Sequence, residues 1–301
     1  MSAIKTEKTE FRGWENCYRV SNGIIEFIAT SDVGPRIISL SFVGQKNLFH
    51  VYEDMAGRAG DSKWCIFGGH RLWHSPEDKA RTYELDNCPI EVEQLPDGLF
   101  LRQPVEPRAG IQKTLEITMD PSLARLRLVH RLKNNNLWRV ELAAWALSVM
   151  EQGGFAVIPL PRRHHPDYLL PNRSLTLWPY TDMRDERYLW GKDFVLLRHS
   201  SGGNPTKVGI YTDEEWCAYY LAPHLLIKRF VFARGESYPD FDCSVEAYTN
   251  SDMLELETLS PLKTIEPGTD LVHEEWWELH DGLELGFSEE EIRAKVVPLI
   301  G

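Results

Sequence analysis

Period two runs through this chain almost from end to end. Apolar and polar residues alternate through CYRVSNGIIEFIAT, RIISLSFV, IQKTLEITM, RLRLVHRL and RVELAAWALSVM. The pattern resumes in FVLLRHS, KVGIYT, WCAYYLA, LLIKRFVF, CSVEAYT, MLELETL and HEEWWELH. A β-strand turns successive side chains to opposite faces, so this alternation specifies strands with one face packed. Asn22-Gly23 and Asp97-Gly98 supply the positive φ that tight hairpins require. Well over a dozen strands at short spacing, with no linker or repeat dividing them, predict an all-β fold. The expected form is a β-supersandwich: two large, mostly antiparallel sheets packed face to face, with few short helices. The clearest helix signal is Ser288-x-x-Glu291 before IRAKVV, a capping box. The expected organisation is an N-terminal tail over 1–10, a single domain over 11–287 and a short C-terminal helix over 288–301.

Charge and composition narrow the partners. With 33 Lys+Arg against 45 Asp+Glu, the net charge is −12. That argues against nucleic acid and anionic membranes, which select a basic face. The longest strongly apolar run, Leu142–Met150, is nine residues, far short of the roughly 20 that span a bilayer. The N-terminal MSAIKTEKTE lacks an apolar signal core. Five cysteines, none in a CxxC pair, point to reduced, mostly buried thiols. A cytoplasmic protein, monomeric or homodimeric, is expected.

Two segments lack strand alternation and are long enough to build a site. Residues 52–80 carry His70, Arg71, Trp73 and His74 within GGHRLWHSPE, where paired glycines allow close backbone approach. Both histidines suit acid–base work near neutral pH. As metal ligands they would need a helix to share a face, and no third ligand is evident, so no metal and no cofactor are expected. Residues 159–193 carry prolines, Arg173, Trp178, Tyr180 and Arg187, with Arg162-Arg163-His164-His165 as a small basic cluster. Aromatic faces stack on the C–H face of a sugar ring, and Arg and Asp hydrogen-bond its hydroxyls. On the strand LELETL, period two puts Glu255 and Glu257 on one face and Leu254, Leu256 and Thr258 on the other. Two carboxylates about 7 Å apart in a partly buried groove repel, which raises at least one pKa toward acid–base range. No phosphate loop, GxSxG elbow or HExxH occurs.

The final third resembles the galactose-mutarotase-like (aldose 1-epimerase-like) superfamily. The matching residues are Leu256-Glu257-Thr258, Pro261, Ile265-Glu266-Pro267-Gly268 and Val272 to Leu279 with Trp276 and Trp277. Gly34-Pro35-Arg36-Ile37-Ile38-Ser39-Leu40 and Gln45-Lys46-Asn47-Leu48 resemble its opening strands. With GGHRLWHSPE, LAAWALSVM and NSDMLELETLSP they look like an uncharacterised branch of it.

The resemblance implies a sugar groove on one sheet, where a glutamate deprotonates the anomeric hydroxyl and a histidine protonates the ring oxygen. The glutamate maps to Glu257, with Glu255 one pleat away, and the histidine maps by region to His70 or His74. A second histidine expected near mid-chain is replaced by Ala144-Trp145-Ala146-Leu147. Either His130, His164, His165 or His224 substitutes for it, or the proton chemistry differs. Trp73, Trp145, Trp178 and Tyr180 are the expected stacking faces. Arg71, Arg173, Arg187, His224, Lys228 and Arg229 are the expected polar contacts; convergence of these cations would select an acidic sugar over a neutral one. The leading function is an aldose mutarotase or related isomerase. A non-catalytic sugar-binding module, or a lyase or glycoside hydrolase on the same sheet, stands beside it.

Overall fold

The computed structural model describes residues 4–162 and 169–301. The chain opens with a run of neighbouring antiparallel strands: β1 (Lys5–Phe11), β2 (Trp14–Ser21), β3 (Ile25–Thr30), β4 (Arg36–Phe42) and β5 (Gly69–Ser75). A second meander follows: β6 (Glu91–Leu95), β7 (Gly98–Arg102), β8 (Ile111–Met119) and β9 (Arg125–Asn134). The chain then shuttles. β10 (Val140–Met150) returns to β5, and β11 (Phe155–Pro159) crosses back. β12 (Leu175–Leu177) edges the first sheet, while β13 (Tyr188–Trp190) and β14 (Phe194–Arg198) join the second. β15 (Thr206–Ile210) lies in the first; β16 (Trp216–Leu221) and β17 (His224–Phe230) lie in the second. β18 (Val245–Thr249), β19 (Leu254–Leu259) and β20 (Lys263–Ile265) complete the first sheet, and β21 (Asp270–His280) the second.

The first sheet has 11 strands and the second 10. Their facing sides interlock Phe27, Leu40, Val208, Val245, Leu254 and Leu256 with Leu115, Leu128, Ile158, Leu197, Leu226 and Trp277. This is the all-β, two-sheet sandwich that the alternation specifies. Helical residues 289–300 follow Ser288, whose hydroxyl accepts the Glu291 N–H, and they lay Ile292 and Val296 over Phe155, Phe194 and Trp216. No helix among the described residues is long and apolar enough to cross a membrane.

Two local expectations are corrected. Residues 5–11 are not a tail: they form β1, which pairs with β2 from Lys5↔Ser21 onward. The stretch 52–80 is not wholly irregular, because Gly69–Ser75 is the strand β5, buried along its whole length. Gly68 and Gly69 both have positive φ, and a Cβ at either would strike the backbone of His50 or Ile37. These glycines thread β5 past neighbouring chain; they do not cradle a ligand.

Candidate functional site

On the face of the first sheet turned away from the second lies a groove of about 350 Å³, within the size range of small-molecule sites. Strand parity builds its floor. Arg71 and Trp73 come from β5, Trp145 and Leu147 from β10, Glu255 and Glu257 from β19, Tyr248 from β18 and Lys207 from β15. Register aligns them: Trp73 opposite Trp145, Leu147 opposite Glu257, and Glu257 opposite Glu246. Tyr52, Trp64, Tyr83 and Tyr180 wall the groove from the loops.

The aromatic wall is continuous. Trp73 packs on Trp64 at 5.0 Å, Tyr83 at 4.9 Å and Trp145 at 5.6 Å between ring centres. The Arg71 guanidinium lies 4.5 Å from the Trp73 ring centre, and its Nη1 is 2.8 Å from Glu255 Oε1. The Lys207 ammonium sits between two indoles, 4.6 Å from each of Trp145 and Trp178. Its Nζ lies 2.6 Å from Glu246 Oε2 and 3.0 Å from Glu257 Oε2. Trp145 Nε1 also donates to Glu257 Oε2, at 2.7 Å. Among the described residues, no donor reaches Glu257 Oε1. Burial opposes charge on Lys207, yet Glu246 and Glu257 hold it well above the usual lysine range. Burial lifts the Glu255 carboxyl above its ordinary value; Arg71 pulls it down and Glu257 pushes it up.

The histidines are the principal correction. His70 and His74 alternate with Arg71 and Trp73 on β5, so both side chains lie on the opposite side of the sheet from the groove. His70 is fully buried between the sheets. Its Nδ1 bonds Ser148 Oγ at 2.9 Å, and its Nε2 shares a 2.8 Å bond with His130 Nε2. His130 Nδ1 donates to the His273 carbonyl, which assigns its Nε2 as the acceptor from His70. Lys228 donates to Ser148 Oγ and pairs with Glu275 at 3.0 Å, and Thr258 and Trp277 complete the Glu275 contacts. Donor atoms of His70, His130 and Glu275 lie within 4.8 Å of one another. His70 and His130 bond each other, and both lie 3.9 Å from Glu275, which pairs with Lys228. Burial, with His130 and Lys228 nearby, pushes His70 well below the usual histidine range. His74 is pushed down to about 3 by burial, Lys113 and Arg81.

Other expected contacts also lie elsewhere. Lys228 belongs to the buried network, and Arg229 pairs with Glu278 on the outer face of the second sheet. Arg187 is held by Asp185 and the Asn204 carbonyl, Arg173 by the carbonyls of Pro161 and Lys192, and His224 by Asp281 and Phe42. These cations do not converge, so the premise for an acidic sugar fails. His164 and His165 lie outside the described residues. The groove gathers Arg71, Trp73, Trp145, Tyr180, Glu255 and Glu257, with Trp178 one layer behind on Lys207. Lys207 went unrecognised in the sequence, although a charged residue inside the apolar strand TKVGI was its available signal.

A scan against protein-family models finds no match, and no curated protein matches the chain. Solved structures match nearly its whole length. A galactose mutarotase-like protein from Clostridium acetobutylicum superposes with a TM-score of 0.58 at 10% identity, over 93% of this chain and 100% of that one. The Slr1438 protein of Synechocystis gives 0.57 at 13% identity, over 91% and 99%. A galactose mutarotase related enzyme from Lactobacillus acidophilus gives 0.55 at 8% identity, over 89% and 98%. The fold is thus that of the galactose mutarotase-like structures.

Proposed function

We propose that the groove binds a monosaccharide and moves protons at its anomeric carbon, interconverting the two anomers of an aldose, with Glu257 as the base. The observation that carries this reading is the setting of Glu257. Trp145 and Lys207 both hold Oε2, the aromatic wall stands beside it, and Oε1 is left for an incoming hydroxyl. Fixing one carboxylate oxygen orients the other, and orientation is a large part of what a general base contributes. Lys207 already faces two carboxylates, Glu246 and Glu257, so a neutral sugar is favoured over an anionic one. The names of the similar structures support the same class of chemistry. A hydrolase reading loses support, because Glu246 lies buried behind Lys207 and cannot stand across a scissile bond from Glu257.

One observation favours a second reading. Among the described residues the groove contains no histidine, as a non-catalytic sugar-binding module would allow. Polarimetry on freshly dissolved α-anomers decides between them. Glu257→Gln should slow mutarotation by about 10²–10⁴ and leave binding, followed by tryptophan fluorescence, nearly intact. A wild type that binds sugar without any rate above solvent establishes the binding module instead.

A further inference from the structure

Anomer exchange needs an acid as well as a base, and the histidines lie on the other side of the sheet. We propose that Glu255 is the acid, a catalytic residue facing the ring oxygen, and that Arg71 is its positioning residue. This assignment rests on the anomeric reading above.

The argument runs through the groups that line the groove. A guanidinium has no role as a general acid, which sets Arg71 aside. Lys207 is clasped by Glu246 and Glu257, which fix its charge. Burial raises the phenols of Tyr52, Tyr83, Tyr180 and Tyr248 above their ordinary value, so they hold their protons. Glu77 is exposed at the rim and accepts the Tyr83 hydroxyl. Glu255 remains. It is almost wholly buried and lines the groove. The charged and titratable groups facing it are Glu257 on its own strand, Arg36 from β4, Arg71 from β5, Lys207 from β15, Tyr248 from β18, and Tyr52 and Tyr83 from the loops. Arg71 is the one ion-pair partner it has among the described residues, whereas Glu257 accepts two donors. Side-by-side carboxylates with unequal donor sets are how one site keeps an acid next to a base.

Geometry fits the reaction. Glu255 and Glu257 point the same way about 7 Å apart along the strand. The two oxygens to be served, the anomeric hydroxyl and the ring oxygen, are both bonded to one carbon. Glu257 takes the hydroxyl proton, and the electrons of that O–H bond form the C1 carbonyl. The C1–ring-oxygen bond breaks, and the ring oxygen takes the proton of Glu255. After rotation about C1–C2 the same transfers reverse, restoring both carboxyls without any co-reactant.

The test is the pH dependence of kcat and KM. The rate should fall at high pH as the acid ionises. Glu255→Gln should lower kcat by about 10²–10⁴, change KM much less, and abolish the fall at high pH. Arg71→Met removes a charge that favours the ionised acid, so the high-pH fall should move upward. If Glu255→Gln does not fold, Glu255→Asp should lower kcat while keeping the fall. A Glu255→Gln enzyme that retains wild-type kcat, or keeps the high-pH fall, overturns the assignment. A readout without turnover separates the two proposals. The infrared difference between wild type and Glu255→Gln at neutral pH should contain the carbonyl band of a protonated carboxyl. Its absence overturns the role of Glu255; its presence in a protein without mutarotation overturns the anomeric reading.

Discussion

Lys207 shows how much of the groove depends on a single side chain. Its ammonium separates two carboxylates that register places directly opposite each other on adjacent strands, Glu246 and Glu257. Removing one partner from a buried ion cluster strands the charge of the others. Lys207→Met should therefore cost about 3–5 kcal/mol, seen as a lower urea midpoint with little change in slope. Adding Glu246→Gln to that variant should recover part of the loss, because one of the stranded carboxylates is gone. A double variant no more stable than Lys207→Met would place the cost in lost packing on Trp145 and Trp178. The same clasp answers the charge of this lysine from two sides, which is the ground for proposing a neutral sugar.

At the scale of single elements, a strand whose two faces contrast in polarity is readable, and one with polar groups on both faces is not. β19 alternates Leu and Glu, so the common face of Glu255 and Glu257 followed from spacing, and the groove confirms that parity. β5 offers no such contrast. Arg71 and Trp73 face one side, His70, Leu72 and His74 the other, and every position is buried. With polar groups on both faces the alternation is lost, so sequence pattern alone neither marks β5 as a strand nor separates its histidines from the groove. Lys207 was hidden for a related reason, since its partners lie some 40 and 50 residues further along. The C-terminal helix was legible because its cap is local: Ser288 and Glu291 sit one turn apart. That helix covers an apolar patch on the outer face of the second sheet, and Ile292 is fully buried there. Ile292→Ala should cost about 2–5 kcal/mol, measured by urea denaturation. A loss below the noise of that measurement would mean the helix merely rests on the sheet.

Across the whole molecule, the two sheets meet at a polar cluster as well as an apolar core. His70, His130 and His273 come from β5, β9 and β21 and are all held neutral by burial, His273 down to about 3. The sign of the resulting pH dependence is fixed. An unfolded histidine takes up a proton below about pH 6.5, whereas these buried ones do so only at lower pH. Protons therefore favour the unfolded chain, and stability present above about pH 6.5 is lost progressively as the pH falls toward 3. Thermal melts across that range should show a steady decline, and His273→Gln should flatten it. A melting temperature unchanged from neutral to mildly acidic pH would show that the cluster admits protons in the folded state.

Arg71 and Trp73 on one side of β5, and His70 and His74 on the other, impose a rule on how this protein can diverge. Deleting or inserting one residue in that strand would exchange the two sets for everything beyond the change, sending histidine into the groove and a guanidinium into the interior. Length variation there is closed to descent, while point replacement on the groove side leaves the interior untouched. New specificities on this scaffold should accordingly arise by side-chain replacement on β5, β10, β15 and β19 and by growth of the loops around them, with the strand lengths held constant.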